Sequence, residues 1–328
     1  MKVLITGANG LLGSNLTRKL LQKGFEVKAM VRESSNLLSL RNSGAELFKG
    51  NLDNPGDLRK ALSGCQAVVH TAANTSQWPT NHEYYKKINI EFTRLLLEES
   101  LATGVERFVF VSSANTFGPG TKKNPGNELS PFTQLQFQSG YMWSKHEAQK
   151  LVLDFAQKHQ FHAVVVNPAF MLGKYDAKPS SGQILFISYG KSRMLCPPSG
   201  KNFVHVEDVA DGIVSAIQKG KTGNCYLLAN ENLSYRDFFS RMKFVCGYPK
   251  KLIHVPKPVI AMTGQMGSLY EKVTGKPSKL NHINGQLLLA ENYYSPTKAI
   301  RELQLPQTPI EQAIEDALDW FTEFGYLH

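Results

Sequence analysis

The segment Thr6-Gly7-Ala8-Asn9-Gly10-Leu11-Leu12-Gly13 joins a run typical of a strand, Val3–Thr6, to an amphipathic helical pattern, Leu11–Lys23. A glycine-rich turn from strand into helix lets the backbone approach a phosphate, and the free N–H groups of the first helical turn can bind the anion. The Gly-x-x-Gly-x-x-Gly spacing therefore predicts a diphosphate-binding turn, although a purely structural glycine turn would show the same residues. The predicted contacts are Gly7, Asn9, Gly10, Leu11 and Leu12.

The pattern that continues from this turn predicts the fold class. Near-continuous apolar strands alternate with helices, which is typical of a parallel sheet covered on both faces. The predicted strands are Val3–Thr6, Glu26–Val31, Glu46–Lys49, Ala67–Thr71, Arg107–Ser112 and Ala163–Asn167. The predicted helices are Leu11–Lys23, one through Leu58–Leu62, one from about Glu91 to Thr103, and Gly140–His159. We expect an α/β fold with a doubly wound parallel sheet (Rossmann fold), whose ligands bind beyond the carboxyl ends of the strands.

The regular alternation ends after Asn167, where prolines interrupt mixed segments. Two further strands, Phe203–Val206 and Tyr226–Ala229, and two further helices, Glu207–Lys219 and Glu311–Phe324, are still predicted. We therefore expect residues 1–167 to form a nucleotide-binding domain, with late sheet elements from about residues 203–229. Residues 168–328 are expected to form mainly a smaller, interleaved substrate-binding lobe.

Composition and charge narrow the function classes. The 328 residues carry a net charge of +10, from 37 Lys and Arg against 27 Asp and Glu. A basic protein can bind nucleic acid or a membrane, but the positive residues are scattered, so we interpret the charge as solubility plus attraction for an anionic cofactor. No apolar run reaches the length of a membrane helix and no signal peptide is recognisable. We therefore expect a cytoplasmic protein with neither a nucleic-acid nor a membrane partner.

Cysteine and histidine spacing argues against a disulfide scaffold and a metal site. The four cysteines form no Cys-x-x-Cys pair, so reduced thiols are expected. His159 and His162 lie three positions apart, but no third ligand accompanies them. We predict no metal.

The end of the second strand bears on the cofactor. An acid at this position binds the ribose 2′-hydroxyl of NAD, whereas an arginine suits the 2′-phosphate of NADP. Val31 stands where the acid is expected and Arg32 follows it, which favours NADP. Glu33 keeps NAD possible.

Three residues in a fixed order suggest the chemistry. Ser113 follows a predicted strand end, and Tyr141 and Lys145 share one face of a predicted helix, one turn apart. A serine hydroxyl can polarise a carbonyl oxygen while a tyrosine protonates it. Because a nearby cation favours phenolate, we expect Lys145 to lower the pKa of Tyr141. A tyrosine four residues before a lysine is common by chance. The prediction depends on the order along the chain, in which the glycine turn comes first, then Ser113, then the helix with Tyr141.

Taken together, the chain resembles an extended short-chain dehydrogenase/reductase, in the branch of NAD-dependent sugar epimerases, dihydroflavonol reductases and 3β-hydroxysteroid dehydrogenases. The resemblance covers nearly the whole chain. Its motifs are TGANGLLG at 6–13, VVHTAA at 68–73, FVFVSSANTFG at 108–118, YMWSK at 141–145, VVVNPAFMLG at 164–173 and FVHVEDVADGI at 203–213.

The resemblance implies a role for each matching residue. Ser113, Tyr141 and Lys145 would be catalytic, and Tyr141 and Lys145 would also contact the cofactor. Asn89 would steady the loop after the fourth strand. Asn51 replaces the family's usual aspartate beside the adenine but can still accept a hydrogen bond. The further implied cofactor-site residues are Leu52, Thr71, Ala72, Ala73, Asn89, Ser112 and Pro168.

Three functions remain open at this stage: an NADP(H)-dependent reductase of a ketone or aldehyde, a nucleotide-sugar epimerase or dehydratase, and a non-catalytic NADP-binding regulator. Lys201 stands where epimerases usually carry an arginine for the substrate diphosphate, and lysine lacks its bidentate fork, which favours the reductase. Trp78, Tyr84 and Tyr85 either line the pocket of a small carbonyl or alcohol substrate or form a packed loop. By the resemblance, we also expect a homodimer.

Overall fold

The fold is described from a computed structural model over residues 1–76, 82–133, 139–247, 251–278 and 280–327. Its largest sheet contains β1 (Lys2–Thr6), β2 (Glu26–Val31), β3 (Glu46–Lys49), β4 (Ala67–His70), β5 (Arg107–Val111), β6 (Ala163–Pro168) and, after three strands of smaller sheets, β10 (Cys225–Leu228). All pairs are parallel, in the order β3-β2-β1-β4-β5-β6-β10. This order reverses beside β1 and confirms the predicted doubly wound sheet.

Helices cover both faces of this sheet. In chain order, the α-helices of the described residues are α1 (Leu11–Gln22), α2 (Pro55–Leu62), α3 (His82–Tyr85), α4 (Phe92–Ala102), α5 (Gly140–His159), α6 (Gln183–Ser188), α7 (Val206–Lys219), α8 (Tyr235–Cys246), α9 (Lys257–Thr274), α10 (His282–Leu289), α11 (Thr297–Leu303) and α12 (Ile310–Glu323). Successive strand residues point to opposite faces, so Val109 packs with α1 and α7 whereas Phe108 packs with α2, α4 and α5. Two buried faces explain why the strands are apolar throughout.

The remaining strands form two small sheets. In one sheet, β9 (Gly200–His205) pairs with β7 (Phe170–Leu172) and β11 (Glu231–Ser234). In the other, β8 (Arg193–Cys196) pairs with β12 (Lys251–His254). A separate apolar core joins these strands to α8 and α12. Of the two late strands predicted from sequence, only β10 joins the large sheet, and the division near residue 167 stays a prediction.

Element bounds differ from the predictions around α4, and no helix was predicted at α9. The helix predicted from about Glu91 is preceded by α3 and by a π-helical stretch, Lys86–Glu91. Pro258 interrupts the apolar pattern in the sequence, yet it lies in the first turn of α9, where a proline's missing N–H costs no hydrogen bond.

The packing of α1 on the turn before it depends on Gly13. A Cβ built there would overlap the Gly7 carbonyl oxygen and lie 2.8 Å from the Ala8 Cα. We predict that Gly13→Ala lowers the free energy of unfolding by about 1–3 kcal/mol, the usual range for overpacking. Urea unfolding measures it. Gly10→Ala is the control, because its Cβ would stay 3.4 Å from the Gly7 oxygen; an equal loss in both variants would contradict the packing argument.

Candidate active site

The glycine turn lies at the carboxyl edge of the large sheet. Gly7 has a φ of +68°, and a side chain there would meet the Ala72 backbone at 2.7 Å, so this close approach requires glycine. The Gly10 N–H donates to the Gly7 carbonyl at 3.1 Å. Gly10 caps α1 without any side-chain hydrogen bond, which leaves the first N–H groups of α1, at Leu11 and Leu12, for another acceptor. These features fit a diphosphate group.

The side chains at the end of β2 bear on the cofactor. Arg32 is exposed, and within the described residues its guanidinium makes no hydrogen bond or ion pair. The Glu33 carboxylate accepts from Lys49 at 2.8 Å. The carboxylate is therefore engaged while the neighbouring arginine is free, an arrangement that suits a phosphate more than a ribose hydroxyl.

The predicted adenine side of the site follows β3. The backbone N–H of Asn51 donates to Asp57 Oδ2 at 2.9 Å, which leaves the exposed Asn51 amide free of this contact. Leu52 is partly buried against the core under α2. Asp57, which the sequence motifs did not single out, thus fixes the backbone of this turn.

The loop after β4 is tied to the glycine turn and to α5. Thr71 Oγ1 donates to the Thr6 carbonyl at 2.7 Å, and Ala72 and Ala73 follow, partly exposed. Asn89 is buried and bonds both backbone groups of Asn74, at 2.7 and 3.1 Å. Its Nδ2 also donates to Ser144 Oγ at 2.9 Å. Protein groups thus engage the Asn89 amide, which positions the loop after β4 against α5.

Ser113 and Tyr141 come together as the sequence predicted. Ser113 follows the end of β5 and is buried, and Tyr141 lies in the first turn of α5, partly exposed. Their side chains share a hydrogen bond. The surrounding protein raises the pKa of Tyr141 by desolvating its phenolate, and the Ser113 hydrogen bond opposes this shift only partly. The phenol therefore keeps its proton at neutral pH.

Lys145 differs from the expectation. Its Nζ is buried, donates to the Val111 carbonyl at 2.6 Å, and lies 4.4 Å from the centre of the Phe110 ring. Burial lowers the pKa of Lys145 to about 7. The predicted lowering of the Tyr141 pKa by this cation is not seen, because Lys145 is directed at the strand end and desolvation dominates at Tyr141.

Buried polar groups without partners mark the floor of the site. Ser112 Oγ is buried and has no hydrogen-bond partner, and Asn167 Oδ1 is in the same condition. Pro168, the last residue of β6, is also buried. An orphaned hydroxyl costs stability unless a ligand completes it, so Ser112 fits the cofactor-lining role that the resemblance implied.

A buried amide network that the motifs did not reveal supports the Ser113 turn. Asn167 Nδ2 donates to the Ser113 carbonyl at 3.1 Å, to Thr116 Oγ1 at 3.0 Å and to Gln149 Oε1 at 2.6 Å. Thr116 Oγ1 in turn donates to Gln149 Oε1 at 2.9 Å. These residues come from β6, α5 and the short turn after Ser113, so only their burial in the fold could identify them.

The other candidates from the sequence have structural or undetermined roles. Tyr85 is buried and donates to the Ser76 carbonyl, whereas Tyr84 is exposed; Trp78 lies outside the described residues. Lys201 lies 4.3 Å from the Phe170 ring centre and 5.5 Å from that of Tyr235. Lys201 is therefore occupied by two cation–π contacts.

Two absences hold for the part of the chain that the structure describes. No group of three or more His, Cys, Asp or Glu side chains there could hold a metal ion. No helix among those residues has the length and apolarity needed to cross a membrane.

The chain belongs to the NAD dependent epimerase/dehydratase family, which it matches over residues 3–229. It is therefore an NAD(P)-dependent enzyme of the extended short-chain dehydrogenase/reductase type. It is 33% identical to a Synechocystis protein with the provisional name dihydroflavonol 4-reductase, over 98% of this chain and 95% of that protein. It is 28% identical to sterol demethylase protein B of Methylococcus capsulatus, over 100% of both chains. The crystal structure of gox2253 superposes with a TM-score of 0.86 at 28% identity, covering 99% of both chains.

The buried Lys145 predicts how the stability of the nucleotide-free protein depends on pH. Folding lowers its pKa from 10.5 to about 7, so between these values the unfolded chain binds more protons than the folded one. Lys145 thus makes stability rise with pH from about 7 to 10.5, by at most about 1.4 kcal/mol per pH unit. In urea unfolding at a series of pH values, Lys145→Met should flatten this rise in the free energy of unfolding. Lys150→Met, on the exposed face of α5, should leave the rise unchanged. An unchanged slope in Lys145→Met would refute the lowered pKa.

Proposed function

We propose that the protein reduces a ketone or aldehyde of a small molecule to the alcohol with NADP(H), using Ser113, Tyr141 and Lys145. The proposal depends on one observation: Ser113 and Tyr141 share a side-chain hydrogen bond at the carboxyl edge of the sheet, one helical turn from the buried Lys145. Reductase is also the activity in the name of the Synechocystis relative.

In this mechanism the chain's own groups handle the proton. Ser113 Oγ donates a hydrogen bond to the substrate carbonyl oxygen and polarises it. Tyr141, which keeps its proton because its pKa is raised, transfers that proton to the same oxygen as an alkoxide develops there. When bound beside these residues, the nicotinamide would supply the hydride. Lys145, one helical turn from Tyr141, would hold the nicotinamide ribose.

We further propose NADP over NAD. The support is electrostatic: the Arg32 guanidinium is unengaged within the described residues, while Glu33 already bonds Lys49. A 2′-phosphate would accept from Arg32, whereas a ribose diol has no free carboxylate at this strand end to receive its hydrogens. The remaining proposed cofactor contacts are Gly7, Asn9, Gly10, Leu11, Leu12, Asn51, Leu52, Thr71, Ala72, Ala73, Ser112 and Pro168.

The alternatives have less support. Nucleotide-sugar epimerisation or dehydration would use the same three residues, but it would need a group free to bind the sugar-nucleotide diphosphate. Lys201 is instead engaged with Phe170 and Tyr235. A non-catalytic regulator would have no use for the Ser113–Tyr141 pair.

We propose in addition a cytoplasmic homodimer that associates through the outer faces of α4 and α5.

Cofactor preference is tested at Arg32. We predict that the protein binds NADPH more tightly than NADH, and that Arg32→Ala weakens NADPH by roughly ten- to a hundredfold, the loss of one charge-assisted hydrogen bond of about 1.5–3 kcal/mol. NADH binding should barely change. Calorimetric titration measures both affinities. Arg94→Ala, an exposed arginine on α4, is the control and should alter neither. Equal loss of both cofactors in Arg32→Ala would count against the 2′-phosphate contact.

The chemistry is tested at Tyr141. Phenylalanine keeps the ring but removes the proton donor, so Tyr141→Phe should slow single-turnover carbonyl reduction by about 10²–10⁴-fold while NADPH affinity holds. Ser113→Ala should slow reduction less, because the proton donor remains. Tyr270→Phe, on an exposed face of α9, is the matched control. Loss of NADPH absorbance in rapid mixing gives the rates. Near-normal reduction by Tyr141→Phe would exclude this residue as the acid.

A further inference from the structure

Helix α9 has its apolar face outward. Its most exposed large side chains, between 43% and 76% exposed, are Val259, Met262, Met266, Leu269, Tyr270 and Val273. Their spacing of three and four residues places them in one stripe along a helix of about 27 Å. They are six of the fifteen exposed large apolar residues in the described chain, so the apolar exposure is concentrated on this helix.

The inner face of α9 explains this orientation. Small residues of α9 face α10 and the segment before it. A Cβ built at Gly264 would lie 3.1 Å from the Asn281 carbonyl oxygen, and a Cβ built at Gly267 would overlap the Leu280 carbonyl oxygen. Ser268 Oγ accepts from the His282 N–H at 2.8 Å. Turning the apolar stripe inward would place large side chains where only glycine fits, so the outward stripe follows from this close contact.

The segment around α9 is strongly positive. Residues 241–290 hold eight Lys or Arg and a single acidic residue, Glu271. The segment therefore carries seven of the ten net positive charges of the chain. Glu271 is directed inward, where it accepts from the Ser278 N–H and the Asn281 amide. Lys257, Lys272 and Lys276 are exposed near the two ends of the stripe. Arg241 in this segment forms ion pairs with Glu231 and Glu311, so the positive charge beside the outward apolar face comes from these exposed lysines.

We propose that α9 docks the protein on the surface of an anionic lipid bilayer. An apolar stripe flanked by lysines is the pattern of a helix that lies in the interface between headgroups and acyl chains. Anionic headgroups match the lysines, whereas a second copy of the same face would bring together the exposed Lys257, Lys272 and Lys276 of both copies. Such a contact needs no membrane-spanning helix, so it revises the expectation that the protein has no membrane partner.

Vesicle sedimentation of the full chain tests the proposal. The protein should bind vesicles of equal parts phosphatidylcholine and phosphatidylglycerol, bind pure phosphatidylcholine much less, and dissociate as salt is raised. Met266→Gln/Leu269→Gln should lower the partition coefficient at least about tenfold by removing two apolar anchors. Lys272→Gln/Lys276→Gln should lower it by roughly tenfold or more. Val273→Gln, in the last turn of α9, should give a smaller loss.

The control is Leu129→Gln/Ile300→Gln, which removes two exposed apolar side chains elsewhere and should keep full binding. Unchanged thermal unfolding will show that each variant is folded. Failure of the wild-type protein to bind the anionic vesicles, or equal losses in the α9 and control pairs, would overturn the proposal. A further outcome would also overturn the proposal: the wild-type protein is an oligomer by light scattering, does not bind vesicles, and dissociates in Met266→Gln/Leu269→Gln. That result would identify α9 as a contact between copies of the chain.

Discussion

The close approach of the β1–α1 turn to the loop after β4 is the constraint on which the site depends. Gly7, at a φ of +68°, leaves room for the Ala72 backbone, and Thr71 Oγ1 bonds the Thr6 carbonyl at 2.7 Å. This contact fixes two strand ends against each other at one sheet edge. Because β5 pairs with β4 in register, the turn carrying Ser113 comes to the same edge. A side chain at position 7 would separate the glycine turn from the turn that carries Ser113.

A second constraint is the cost of burying Lys145 at that edge. The ammonium has one carbonyl, that of Val111, and one aromatic ring as its near partners, and its pKa falls to about 7. Ser112 Oγ is buried beside the end of the same strand without a hydrogen bond. Incomplete solvation of this kind is destabilising in a free protein and is typical of sites completed by a ligand. These groups thus lower the stability of the ligand-free fold at the edge where the nucleotide would bind.

The sequence alone was sufficient to predict the bounds of helices and strands whose apolar pattern follows directly from their burial. The Gly140–His159 helix has its predicted bounds, and the first six strands lie within two residues of theirs, because both faces of the sheet are buried. The predictions failed where tertiary contacts decide. Lys145 contacts Val111, thirty-four residues away, instead of acting on Tyr141. The network of Asn167, Thr116 and Gln149 joins three elements through residues that belong to no motif, so no local pattern could reveal it.

The net charge of +10 is distributed unevenly along the chain. Residues 1–167 hold 19 basic and 13 acidic side chains, and residues 241–290 hold eight and one. The rest of the chain, with 10 basic and 13 acidic residues, is net negative. The first positive region would attract the proposed anionic cofactor through Arg32, and the second includes the lysines at the ends of the apolar stripe on α9. Since exposed charges more than about 10 Å apart are largely screened at physiological salt, each region acts on the partner nearest to it.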